Sequence, residues 1–123
     1  MINGYTAIDA HCHIYPDKIA VKASENTGLF YDIPMRHDGS VKTLLTAGAD
    51  AGIDRFIVQS VATSPSQVRS INEFIAASVA ASDGKFTGLG TLHPESTDIK
   101  GDVEQIISLG LHGVKLHPDI QKF

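Results

Sequence analysis

"AGADAGIDRFIVQS", residues 47–60, holds the end of one element, a stop and the start of the next. Upstream, "SVKTLLTAGADAG" (residues 40–52) carries Val41, Leu44, Leu45 and Gly48 at helical spacing, and Gly52 is placed to end the helix. Downstream, "DRFIVQSVA" (residues 54–62) concentrates Phe56, Ile57, Val58 and Val61, a β-branched and aromatic run that suits a strand buried on both faces. The phrase "helix, glycine, short linker, strand" recurs with Gly84 before Phe86 and Gly110 before Val114. A repeated α-then-β unit calls for a mostly parallel sheet with helical crossovers.

Around this unit the remaining elements fall into place. Strand-like runs are expected at "YTAIDAH" (residues 5–11), "KFTGLGTLH" (residues 85–93) and "HGVKLHP" (residues 112–118). A helix is expected over "SPSQVRSINEFIAASVAASDG" (residues 64–84), with Ser64 as N-cap, Pro65 in the first turn, and Val68, Ile71, Phe74, Ile75 and Val79 as its apolar stripe. Another is expected over "DIKGDVEQIISLG" (residues 98–110), with Val103, Ile106 and Ile107 facing inward. Residues 15–39 break the rhythm with Pro16, Gly28, Pro34 and Gly39, and read as a long loop holding a short helix around Ile19 to Glu25.

Bulk properties narrow the function. The chain has 123 residues, enough for a single domain, and a formal net charge of −4 with no basic run. Binding to nucleic acid or to an anionic membrane surface is therefore not expected. No apolar run approaches the roughly 20 residues of a membrane span, and no basic segment followed by a long apolar core marks a signal peptide. Cys12 is the only cysteine, so no intrachain disulfide can form, which fits a reducing, cytoplasmic setting.

The chemistry-bearing residues gather at strand ends. In "IDAHCHIYPD" (residues 8–17), strand alternation places Asp9, His11 and His13 on one face. Two imidazoles two residues apart can converge on one ion, and Asp9 could orient a ligand histidine by accepting its second N–H. His93 ends the third run before Pro94, and His117 ends the fourth before Pro118, with Lys115 sharing its face. Three of four strands thus bring histidine to the same rim, the carboxyl-terminal rim that carries chemistry in parallel α/β folds. His37 and Arg36 in the long loop, and His112 ahead of its strand, read as solvated. A nucleotide-binding doubly wound domain is disfavoured because "HCHIYPD" lacks the glycines of a phosphate loop.

At these residues the sequence resembles the amidohydrolase superfamily of metal-dependent TIM-barrel enzymes. "IDAHCHIYPD" resembles its first-strand Asp-x-His-x-His motif, and "GLHGVKLHPDIQKF" resembles a fourth-strand segment of the amidohydrolase-related branch that also holds metal-dependent decarboxylases. "GTLHPE" is also similar to a third-strand segment of TatD-like deoxyribonucleases. The resemblance implies a (β/α)8 barrel of which residues 1–123 are the N-terminal half, a single unit holding the first four strands. It implies His11 and His13 as ligands of a divalent metal, with zinc the expected ion and Asp9 behind them. Lys115 and His117 would be catalytic beside the metal, and His93 would contact substrate. The implied reaction is metal-assisted hydrolysis of a C–N or C–O bond at the carbonyl of a small-molecule substrate. Metal-dependent decarboxylation, or a non-catalytic half-barrel that assembles as an oligomer, are the alternatives. A full barrel takes ~250 residues, so the chain is expected to need either a C-terminal half or further copies in a homo-oligomer, and alone to be feebly active.

Overall fold

The computed structural model describes residues 1–123, an α/β arrangement of five short strands and five α-helices. Strands β1 (Ile8–His13), β2 (Arg55–Gln59) and β3 (Phe86–Gly88) form one parallel sheet in that order. Strands β4 (Gly90–Thr91) and β5 (Val114–Lys115) form a second, two-stranded parallel sheet. The α/β class and the parallel pairing are present, and the four β/α repeats of a half-barrel are not. Four strands in one continuous sheet, the first half of a TIM barrel, are replaced by a three-plus-two arrangement.

The reason lies in the third run. It splits at Leu89, where the ladder changes partner: the Leu89 N–H donates to Val58 O at 3.0 Å, and the Gly90 N–H donates to Gly113 O at 2.8 Å. Gly88 and Gly90 flank the break, and helices close on both. A Cβ at position 88 would lie 2.8 Å from Ile75, Val79 and Leu111, and one at position 90 would lie 2.7 Å from Ile106. Two glycines without side chains to pack against strand neighbours weaken a strand in its middle.

Helix α1 spans Asp17–Tyr31, α2 Val41–Asp50, α3 Val68–Ala80, α4 Ile99–Ser108 and α5 Pro118–Gln121. Ser40 caps α2, its hydroxyl accepting the Thr43 N–H at 3.2 Å, and Asp98 caps α4 by accepting the Gly101 N–H at 3.0 Å. The turn at Pro65–Gln67 is 3-10 and runs into α3. The core joins Cys12 and Ile14 to Phe56, Val58, Phe86 and Ile75, with Phe56 and Phe86 edge to face at 5.8 Å. The α3 stripe packs as expected: Val68 and Ile75 are buried, and Ile71, Phe74 and Val79 are half-buried. On α4, Ile106 is buried and Ile107 is not; the inward position is taken instead by Asp102, held by Arg69 Nε at 3.2 Å and by the Ser96 hydroxyl at 2.5 Å.

The stretch read as a loop is the largest departure after the sheet. Residues 17–31 form a full helix, of which only Ala20, Ser24 and Gly28 are buried. After Asp32, whose left-handed conformation ends α1, the chain folds back so tightly that a Cβ on Gly28 would lie 2.7 Å from Ile33 O.

Candidate functional site

The carboxyl end of β1 opens onto a cleft of about 1030 Å³ between α1 with its following loop on one side and α2, α3 and the ends of β1 and β2 on the other. Asp9 pairs with Phe56 and Cys12 with Val58, so Ala10 and His11 stand opposite one residue, Ile57, in a β-bulge. Strict alternation therefore fails, and Asp9, His11, Cys12 and His13 all border the cleft. The bulge turns the two imidazoles toward each other: His11 Nε2 and His13 Nε2 are 3.2 Å apart.

At that distance the two nitrogens can share one hydrogen or flank one ion. Two ligand nitrogens roughly 2.0–2.1 Å from one tetrahedral ion are separated by about 3.3–3.4 Å, so the pair has the spacing of a chelate. Burial pushes the His13 imidazole down to about 4 from its ordinary 6.5, helped by the neighbouring charges of His11, Lys115 and His117. The ring is thus neutral near pH 7, with a lone pair to offer. Among the residues of the chain no third histidine, cysteine or carboxylate joins the pair in a cluster able to hold a metal. Asp9 makes no hydrogen bond to either ring; its Oδ1 accepts the backbone N–H of His11 at 3.1 Å, which fixes the bulge rather than an imidazole tautomer.

The remaining expected residues separate into two groups. His117 borders the same cleft. It caps α5: its Nδ1 accepts the Ile120 N–H at 3.3 Å, and its backbone N–H donates to Gln121 Oε1 at 2.9 Å. With Nδ1 accepting, the neutral ring carries its proton on Nε2, and that N–H bonds the Tyr31 hydroxyl. His117 is therefore presented as a hydrogen-bond donor and not as a metal ligand. Lys115 sits half-buried on β5, close enough to His13 to disfavour its charge, and forms no ion pair. His93 lies apart. It is 4% exposed, its Nδ1 accepts the Glu95 N–H at 3.2 Å, and it borders a small pocket of about 280 Å³ with Thr63, Gln121 and Lys122.

Two residues escape a reading of the sequence. Tyr31 reaches the cleft because α1 extends to it, and no periodic apolar stripe announces that helix. Gln121 is buried and donates to Leu92 O at 2.7 Å and Ala62 O at 2.9 Å, so it ties the ends of β2 and β4 to the His117 cap. The only trace of it in the sequence is its place four residues after His117. Cys12 is buried, and burial together with a hydrogen bond to Asp9 pushes its thiol up to about 12, which removes it as a thiolate ligand or nucleophile. No protein-family model and no curated protein matches the chain.

Proposed function

We propose that the chain binds a divalent cation, zinc above others, between His11 and His13, and that the site serves hydrolysis of a small molecule held in the adjoining cleft. The observation that carries this reading is the 3.2 Å between the two Nε2 atoms, a chelating distance at a strand end that opens on a cleft. Zinc at such a place polarises a carbonyl and acidifies water. The chain's own groups supply the rest. The Nε2–H of His117 is taken up by the Tyr31 oxygen, which leaves the Tyr31 O–H as the free donor at the cleft, suited to hydrogen-bond a substrate oxygen or to return a proton to a leaving group. Lys115 adds a positive charge near the mouth without an acid partner to neutralise it. Apolar side chains of Phe30, Ile71 and Phe74 exclude water from the cleft wall.

A catalytic zinc takes three protein ligands and an open position, and this chain offers two. Affinity is accordingly weak and turnover by the chain alone is slow. Calorimetric titration of the protein with zinc tests the reading. A one-to-one binding heat that is lost in His11→Ala and in His13→Ala is expected. Absence of binding at the highest attainable protein concentration, or binding that survives both substitutions, overturns it.

A further inference from the structure

Residues 17–39 form an excursion whose two ends are pinned together. The Tyr15 N–H donates to Gly39 O at 2.9 Å, and Tyr15 bridges Ser40 as an isolated parallel pair. Between these points the segment packs on itself: the Ser24 hydroxyl donates to His37 O at 2.6 Å, and the Ile33 N–H donates to Gly28 O at 2.9 Å. Its attachment to the body is thin. The only buried residues of α1 are small, and its large apolar residues Ile19, Val21, Leu29, Phe30 and Tyr31 are all more than 40% exposed. Across the cleft a single hydrogen bond joins residues 16–39 to any residue beyond Thr43, and it is the one between Tyr31 and His117.

We infer that residues 17–39 are a lid over the histidine cleft, hinged where Tyr15 meets Gly39 and latched by Tyr31 on His117. The lid opens as one unit while the sheet and α3 stay folded. Small buried area and few long-range bonds place a segment at the low-stability end of a fold, and mobile lids are drawn from there. The hinge has the backbone for it: Gly39 sits at a φ of +76° beside the Tyr15 ring, where a Cβ would lie 2.7 Å from Cδ2. The partner on the body is held firmly, because Gln121 ties the His117 backbone N–H and the Ile120 N–H holds the His117 ring. The lid stands whether or not His11 and His13 hold an ion.

Hydrogen–deuterium exchange on the full chain, read by peptide mass, tests it. In the wild type, amides of residues 17–39 exchange together and ahead of those of α2 and α3. In Tyr31→Phe, which removes one exposed hydroxyl, exchange in 17–39 rises severalfold while α3 and β2 are unchanged. Carbethoxylation of His13, half-buried on the cleft, rises in the same variant. Exchange of 17–39 only in step with α3 in the wild type overturns the lid without recourse to the variant. An unchanged or uniformly raised exchange in Tyr31→Phe, or unchanged modification of His13, overturns the latch.

Discussion

Cys12 lies between the two chelating histidines and takes no part in their chemistry, because its environment differs from theirs within one residue on either side. The bulge turns His11 and His13 to the cleft and leaves the thiol 4% exposed in the core, its Sγ donating to Asp9 O at 3.6 Å. A thiol pushed up to about 12 has almost no thiolate near pH 8, whereas an unfolded cysteine near 8.5 has a substantial fraction. Alkylation of Cys12 by iodoacetamide at pH 8 is expected to be at least ~100-fold slower in the folded chain than in urea. Comparable rates would show that the strand end is open. At this scale much was legible: the spacing of His11 and His13 announces a pair at a strand end. The tautomer of His117 was not legible, since it is set by the backbone N–H of Ile120 three residues on, a contact that depends on the α5 turn and not on any side-chain type. Nor was the role of Asp9, whose carboxylate is diverted to a backbone N–H by a bulge that no residue type dictates.

Helices α1 and α2 show what periodicity reveals and what it conceals. Helix α2 packs half-buried Val41, Leu44 and Leu45 against the core, and the pattern that predicts it is the pattern that packs it. Helix α1 rests on Ala20, Ser24 and Gly28, one small residue per turn, so its buried face has no hydrophobic signature and its exposed face is as apolar as its buried one. The glycine at 28 argues for a loop in the sequence and is required in the helix by the return of the chain at Ile33. The same close approach governs Gly48 in α2, where a Cβ would lie 2.2 Å from Phe56 Cζ. Phe56 is 3% exposed in the core and has nowhere to move. Alanine favours a helix over glycine by about 1 kcal/mol, but overpacking a filled core opposes it by about 1–3 kcal/mol. Gly48→Ala is therefore expected to lower stability in urea unfolding. A stabilised variant would show that the α2–β2 contact yields freely.

Over the whole molecule, two parallel sheets meet at a glycine-flanked break and leave one large cleft, and the charges at its mouth link folding to pH. His13, His11, Lys115 and His117 crowd there with no ion pair to Lys115, and the half-buried His13 ring is held neutral down to about 4. In the unfolded chain the same imidazole takes a proton near 6.5. Between those values the unfolded state binds the extra proton, so stability is complete above about pH 6.5 and falls as pH drops toward 4. A displacement of that size corresponds to about 3 kcal/mol once pH falls below both values. Asp38, held low by the Ser40 N–H, and Asp54, held low by the Met1 ammonium, lose their contributions in the same direction as they protonate, so the raw acid sensitivity is not His13's alone. Urea unfolding of the chelator-treated chain at pH 7.5 and pH 4.5 separates them when repeated in His13→Gln. The variant retains the carboxylates and lacks the imidazole, so its loss of stability between the two pH values should be smaller than the wild type's by about 2 kcal/mol. Equal losses in the two chains would mean that His13 is solvated and freely protonated, and a ring so exposed would no longer be held in the cleft beside His11.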